Sequence, residues 1–349
     1  MNRPRGWQTL LAFATIYLVW GSTFLAIRIG VHEVPPFLLA ALRFLLAGGA
    51  MVAWMLARGV SAPTAREWRS SFQLALPIFL VNYGLVFWAE TRISSGLTAV
   101  MQATIPAFIV LAEIVLLGTQ RLSWRLGAGL TMGLAGVAVL TSDALGLGGA
   151  AVDRISAGAL LVASFSWSLG SVLTRKVPLP ASKAMSSGAQ MLAGGVWLAV
   201  AATALGETRG FDPRTVSPGA WLALLYLVVA GSIAAFTAYI WLIHNDSPTR
   251  VGTYAYVNPV VAVLLGYFAA GEPLGPRTVA GTTCVLLSVL IITTMRRPPG
   301  SAAASTGPDS RSASRWAGPR SSGGGHDDRS SVRSRRPSSR GGDLGLHDT

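Results

Sequence analysis

The sequence predicts an all-α, polytopic membrane protein of ten transmembrane helices arranged as two inverted five-helix repeats, and three observations carry that prediction. The first is composition. Of 349 residues, 51% are hydrophobic and only 12% are charged, with a mean hydropathy of +0.50. A water-soluble domain normally carries about 25% charged residues, so half that share leaves too few polar groups to cover a surface facing water. The second is the recurrence of apolar windows long enough to cross about 30 Å of hydrocarbon. The third is a self-similarity of the chain at an offset of about 150 residues.

Ten windows qualify as spans: 8–29, 36–57, 72–90, 96–117, 123–141, 155–176, 184–205, 219–243, 250–270 and 275–295. Helix breakers and charges separate them, as in "HEVPP" (32–36), "RGVSAPTAREWR" (58–69) and "HNDSPTR" (244–250). The third window is the most polar, containing Asn82 and ending on Glu90 and Arg92. Arg3 and Arg5 precede the first window, and no small-residue cleavage site follows it, so it reads as a first membrane helix rather than a removed signal peptide.

Basic residues set the orientation. Arg58, Arg66, Arg69, Arg121, Arg125, Arg175, Lys176, Lys183 and Arg250 fall in connectors on the side of the N-terminus, against Arg28, Arg92, Arg154, Arg209, Arg214 and Arg277 on the other, where Glu33, Asp143, Asp153, Glu207, Asp212 and Glu272 also fall. Both termini are therefore expected in the cytoplasm. The expected organisation is a cytoplasmic N-terminus (1–7), a first repeat (8–141), an outer connector (142–154), a second repeat (155–295) and a basic tail (296–349). The tail is rich in Ser, Gly, Arg and Pro and cannot bury enough apolar surface to offset ordering entropy, so it is expected to be disordered.

The same inventory excludes several functions. The net charge of +13 sits in short connectors and the tail, so it does not predict a nucleic-acid partner. Cys284, the one cysteine, lies in an apolar run and supports neither a disulfide framework nor a thiolate metal site. His32, His244, His326 and His347 fall in connectors or the tail, without metal-ligand spacing. There is no glycine-rich phosphate loop and no evident nucleophile–base pair, so neither an enzyme nor a cofactor is expected, and direct ATP drive is not expected either.

The internal repeat is legible residue by residue. At an offset of 147, Trp20 meets Trp167 and Arg28 meets Arg175; at 146, "LLAGG" (45–49) meets "MLAGG" (191–195). At 153, Pro106 meets Pro259 and Gly118 meets Gly271; at 152, Arg125 meets Arg277 and Gly129 meets Gly281. Five helices per repeat is an odd number, so the second copy must enter the membrane from the opposite face. Secondary carriers use this plan and place solute near the midplane.

Pro106 and Pro259 lie at nearly equal depth, about 15 Å into the fourth and ninth spans at 1.5 Å per residue. Each removes a backbone donor and loosens its helix. Trp20 and Trp167 lie at matching depth in the first and sixth spans, so a solute path is expected where these four residues converge. Polar and aromatic candidates around it are Ser22, Thr23, Asn82, Tyr83, Gln102, Ser171, Tyr239, Tyr254, Tyr256 and Asn258. Any one of them has a plainer use as a self-bonded helix hydroxyl or an interfacial anchor.

Ionisable residues inside the spans are costly and therefore informative. Arg43 sits too deep in the second span to reach the interface freely, and Glu90 is the nearest carboxylate by depth. An Arg43–Glu90 pair is expected, either as a structural clamp or as an outer gate. Gln190 falls opposite Arg43 in the repeat. Glu113, near the inner end of the fourth span, is placed to reach the cytoplasmic interface or to couple transport to protons.

The runs "YLVWGSTFLAIRIG" (17–30), "PPFLLAALRFLLAG" (35–48), "SFSWSLGSVLTRK" (164–176) and "TYAYVNPVVAVLLG" (253–266) resemble the EamA family of the drug/metabolite transporter superfamily, especially its YedA-like bacterial inner-membrane members. The resemblance covers residues 8–295. It implies ten helices, cytoplasmic ends and export of small metabolites, amino acids or toxic compounds. The family's Asn-Pro pair falls on Asn258 and Pro259, and its arginine of the second helix on Arg43; the first repeat departs, with Ile105 before Pro106. The expected partners are a small-molecule solute, the lipid bilayer and protons as candidate coupling ion. The residues leave two alternatives to a carrier: a channel-like facilitator, suggested by the Asn-Pro segment, and a non-transporting structural or regulatory membrane protein.

Overall fold

A chain segment in hydrocarbon must close its backbone hydrogen bonds internally, and every regular element among the described residues is a helix. The computed structural model describes residues 6–117, 124–141, 153–174, 176–245, 254–272 and 274–293. The connector at 142–152 and the expected basic tail lie outside these residues. The chain divides after Pro298, and all described residues belong to the first unit.

Seven helices are long and apolar enough to cross a membrane: α1 (Gly6–Val31), α2 (Pro36–Ala57), α3 (Ala65–Glu90), α4 (Ser95–Leu116), α6 (Arg154–Leu173), α7 (Lys183–Ala204) and α8 (Pro218–Tyr239). Three further helices lie among the described residues: α5 (Trp124–Thr141), α9 (Tyr254–Ala270) and α10 (Pro276–Thr293). Their outward faces carry large apolar side chains, Phe268 and Trp124 among the most exposed at 77% and 78%. Such contiguous apolar surface belongs against lipid rather than water.

Helix α3 begins seven residues before the expected window. Its start is fixed by a capping box, in which the Thr64 hydroxyl accepts from the Glu67 N–H and Glu67 accepts from the Thr64 N–H at 2.7 Å. The first turns carry Arg66, Glu67 and Arg69, too polar to count toward a span yet fully helical.

The helices are locally irregular where they meet. Wide π-helical turns interrupt α1 at Thr15–Val19, α3 at Leu76–Tyr83, α4 at Glu113–Leu117 and α8 at Leu227–Ala234. Partner helices fill the space: the Trp20 indole N–H of α1 donates to the Gly231 carbonyl in the α8 turn at 3.1 Å, and Ser166 of α6 donates to the Pro77 carbonyl in the α3 turn at 2.9 Å. The two prolines behave differently. Helix α4 breaks into Ser95–Gln102 and Ile105–Ala112 just before Pro106, while α9 runs unbroken through Pro259. Hydroxyls of α6 take up the break, Ser164 donating to the Gln102 side chain at 2.6 Å and Ser168 to the Ile105 carbonyl at 3.0 Å.

Helix α2 packs along α7, α5 along α10, α1 against α8 and α9, and α6 against α3 and α4. Small residues permit the first contact. A Cβ on Gly195 would lie 2.7 Å from the Leu45 backbone nitrogen, and one on Gly48 2.9 Å from the Gly188 carbonyl oxygen. Without a hydrophobic driving force between helices in lipid, such close backbone approach supplies the packing.

One end of the bundle is braced by carboxylates on helix N-termini. Glu33, after α1, accepts from the N–H and hydroxyl of Ser217 at the start of α8, both at 2.6 Å. Glu207, after α7, accepts from the Leu38 N–H in the first turn of α2 at 2.9 Å. Glu272, after α9, accepts from Ser95 and Gly96 at the start of α4. Hydrogen bonds from Ser217 hold the Glu33 carboxyl below the usual carboxylate range, and burial pushes that of Glu207 up against the backbone donors it accepts from. An exposed ion pair, Arg92–Asp153 at 3.8 Å, joins the end of α3 to the start of α6 on the same face.

Candidate solute cavity

A cavity of about 910 Å³ occupies the middle of the bundle. Its walls come from both halves of the chain: Trp20 and Thr23 of α1, Arg43 of α2, Asn82 and Tyr83 of α3, and Gln102 and Pro106 of α4. From the second half come Trp167 and Ser171 of α6, Gln190 of α7, Tyr239 of α8, and Tyr254, Asn258 and Pro259 of α9. The cavity extends to Pro180 and Ala181 in the α6–α7 connector and to Lys183 at the start of α7, where Ala181 and Lys183 are exposed. Toward the braced face it ends on Ile27 and Val86, both buried. It therefore reaches one side of the bundle and not the other.

Aromatic packing shapes the walls. Trp20 meets Tyr239 and Tyr254 at ring separations of 5.3 and 5.1 Å, and across the cavity Tyr83 meets Trp167 at 5.7 Å and Phe44 at 4.6 Å. These distances suit tilted and edge-to-face pairs, which fix the rings while leaving their faces as apolar surface.

Several expected residues are committed to local bonds. Thr23 donates to the Trp20 carbonyl at 2.6 Å and Ser171 to the Trp167 carbonyl at 2.7 Å, each within its own helix. Gln190 donates to the carbonyl and hydroxyl of Ser186. Asn82 is buried and donates to the Ala163 carbonyl of α6 at 2.9 Å. Asn258, oriented with its nitrogen toward the two carbonyls in reach, donates to Tyr17 at 3.3 Å and Tyr254 at 3.2 Å, tying α9 to α1.

Three expected residues stand apart from this set, one of them undescribed. Ser22 is not on the cavity wall; its hydroxyl bonds within α1 and to the Tyr226 hydroxyl of α8 at 2.6 Å. The side chain of Tyr256 lies outside the described residues. Glu113 does not reach an exposed interface, being buried at 4% exposure at the start of the last π turn of α4.

The expected Arg43–Glu90 pair does not form. Arg43 is 3% exposed, its Nε donates to Ser232 of α8 at 3.0 Å, and its guanidinium lies 4.9 Å from the Phe44 ring and 5.4 Å from the Tyr83 ring. Glu90 is fully buried, and neither carboxyl oxygen has a hydrogen-bond partner. Glu90 meets Arg43 only through space, with no hydrogen bond or ion-pair contact between them. Its neighbour is Arg28, whose Nη1 donates to the carbonyls of Glu90 and of Ile93. Sequence reasoning also missed Ser232, which holds the guanidinium, and Glu272, whose Gly-Glu step after an apolar run is a helix-end signal.

An all-helical, multi-pass membrane protein with an aromatic-walled cavity between its helices defines a transporter class. Its family is settled by comparison: the chain belongs to the EamA-like transporter family, whose model matches residues 7–142 and again 154–294. It is similar to the "Uncharacterized inner membrane transporter YedA" of Escherichia coli (strain K12), 37% identical over 81% of this chain and 89% of that protein. It is also similar to a "Probable amino-acid metabolite efflux pump" of Salmonella typhimurium, 26% identical over 83% of this chain and 95% of that one. A solved crystal structure with 27% sequence identity aligns at a TM-score of 0.54, covering 82% of this chain and 96% of the other. The protein is a membrane transporter.

Proposed function

We propose that the protein is a secondary carrier that exports a small organic solute, such as a metabolite, amino acid or drug-like compound, across the inner membrane by alternating access. Its ten helices form two inverted five-helix repeats, and both chain ends lie in the cytoplasm. The observation that carries the reading is the one-sided cavity: it reaches the α6–α7 connector and is sealed toward the face where Glu33, Glu207 and Glu272 brace helix N-termini. A carrier needs such a state, and a second in which the seal moves to the other face.

The twofold family match supports the repeat. So do the packing partners, since α2 with α7 and α5 with α10 join elements at equivalent positions of the two halves. The π turns at 76–83 and 227–234 fall 151 residues apart, within the range of offsets read in the sequence. Helix α1 ends, and α6 begins, on the braced face, as inversion requires. The basic residues of the α6–α7 connector favour the cytoplasm for the open side, so the described state is the one that loads an exported solute. The cavity residues from Trp20 to Pro259 are then the path, and Glu90 and Glu113 the buried carboxylates available to a coupling proton.

Metabolites in the medium of cells expressing wild type, compared with a Trp20→Ala/Trp167→Ala control at matched abundance, test the reading. A compound enriched by wild type alone identifies an exported solute. Equal profiles, together with absent flux in reconstituted vesicles, would overturn it in favour of a structural or regulatory membrane protein. Uncoupled conductance would favour a channel-like facilitator.

A further inference from the structure

We propose that the cavity selects an organic anion, a carboxylate carried on an aromatic or apolar body, with Arg43 as the group that reads its charge. The inference concerns the site of the proposed carrier and rests on that reading for the flux that follows binding.

Arg43 is a guanidinium taken almost entirely out of water on the wall of an apolar space. Ser232 occupies its Nε, but Nη1 has no acceptor at all. A buried cation with an unsatisfied donor is costly, and a well-placed anion with matching hydrogen bonds offsets that cost. The internal anion in range is Glu90, which acts on Arg43 through space but whose two oxygens accept no hydrogen bond from it or from anything else. The other charged group nearest that carboxyl, Arg28, spends Nη1 on backbone carbonyls, and Glu272 is occupied on α4. The guanidinium on the cavity wall therefore has an unused donor, beside the Phe44 and Tyr83 rings that line the same space.

The rest of the lining agrees in sign. Among the described residues, the charged side chains on the cavity wall are Arg43 within and Lys183 at the exposed end, and no Asp or Glu contributes. A cleft lined by one sign of charge concentrates the opposite ion. A cationic solute would find no carboxylate partner among those residues and would meet Arg43. The body of the ligand is set by Trp20, Tyr83, Trp167, Tyr239 and Tyr254, which offer faces and edges for an aromatic or aliphatic group. Guanidinium is the side chain whose planar fork matches a carboxylate in two parallel bonds.

Calorimetric titration of the purified full chain in nanodiscs tests this with three probes of one shape: phenylacetate, neutral phenylacetamide and cationic phenethylamine. Phenylacetate is expected to bind about tenfold or more tightly than the amide, the scale of a charged hydrogen bond. Phenethylamine is expected to bind weakest. Arg43→Gln should make the anion and amide equal, and Arg43→Lys should keep part of the difference. Ser232→Ala, which leaves the charge and frees its orientation, should reduce the preference if Arg43→Gln does not fold. The proposal is overturned if the amine binds as well as the anion, if none of the three binds wild type, or if anion preference survives Arg43→Gln. Flux of labelled phenylacetate into reconstituted vesicles, above protein-free vesicles, separates the two readings. Anion-selective binding without flux keeps the site and removes the carrier; flux of the amide or amine without anion preference does the reverse.

Discussion

The carboxylate of Glu272 sits on the first turn of α4, one oxygen accepting from both the N–H and the hydroxyl of Ser95 at 2.8 Å each and the other from the Gly96 N–H at 3.1 Å. The sequence places it there by a helix ending. Gly271 adopts φ +65° after α9, and the Glu272 N–H returns to the Gly266 carbonyl at 3.0 Å. The same device ends α7: Gly206 has φ +78°, the Glu207 N–H returns to Ala202 at 2.8 Å, and its carboxylate accepts from α2. Only glycine adopts this backbone without strain, so each Gly-Glu step closes one helix and caps another. Since a carboxylate on orphan helix donors is worth about 1–3 kcal/mol, Glu272→Ala should lower thermal stability of the purified protein by that amount and Glu272→Gln by less. In a Cys284→Ser background, the buried Thr98→Cys should react faster with an impermeant maleimide when Glu272→Ala is added. An unchanged labelling rate would show that the brace does not hold this face shut.

Glu90 and Arg28 are neighbours with opposite expected responses. Both Glu90 oxygens are buried without partners, so Glu90→Gln removes a poorly accommodated group and keeps its shape. Thermal stability should be unchanged or raised. Arg28→Met should instead cost about 2 kcal/mol, because it strips donors from the carbonyls of Glu90 and Ile93. A Glu90→Gln protein that is stable but inactive in flux assays would then locate a functional proton or charge at this position, whereas a destabilised one would mean that the carboxylate has a structural partner.

How far the sequence was legible depends on which coordinate was asked of it. Depth along the membrane follows from counting residues, and it brought Trp20, Trp167, Pro106 and Pro259 to one cavity from four helices. Rotation about a helix axis does not follow from counting when the helix contains a π turn, and α3 has one at Leu76–Tyr83, between its start and Glu90. Depth put Arg43 and Glu90 level but could not supply the hydrogen bond they lack, while Asn82 and Tyr83, inside the turn, stand on the wall. Hydropathy also hid the start of α3, since Arg66, Glu67 and Arg69 outweigh the Thr64–Glu67 cap that marks it. That α4 breaks before Pro106 while α9 runs through Pro259 was not readable: the hydroxyls of Ser164 and Ser168 that bond Gln102 and Ile105 beside the break come from another helix.

The α2–α7 contact should be intolerant of volume. Gly48, Gly188 and Gly195 let the two backbones approach so closely that no side chain fits between them. Gly48→Leu and Gly195→Leu should each lower folded yield and thermal stability by several kcal/mol, the range of overpacking with backbone displacement. Gly49→Leu, one residue along on an open face, should be tolerated. Equal behaviour of the Gly48 and Gly49 variants would place α7 farther from α2 than the structure has it.

Acid should loosen the braced face before it unfolds the bundle. Hydrogen bonds from the Ser217 hydroxyl and then its N–H, opposed by slight burial, hold the Glu33 carboxyl below its ordinary value. The Ser156 hydroxyl, with the backbone of Ile155 and Ser156, does the same for Asp153. A carboxyl with a depressed folded value contributes stability that is present above its unfolded value and is lost as pH falls through the folded one. Both groups are solvent-exposed, so the effect is modest and screened by salt. Glu207 has the reverse sign, its carboxyl being pushed up chiefly by burial, and it partly offsets the loss. Thermal unfolding at low salt should therefore steepen in its pH dependence below about pH 5, just above the unfolded carboxylate range. Glu33→Gln and Ser217→Ala should each flatten the curve by a similar amount, and the double variant no further than either alone. Additive flattening in the double variant would mean that the two residues act on pH sensitivity separately, and the Glu33–Ser217 brace would not be its source.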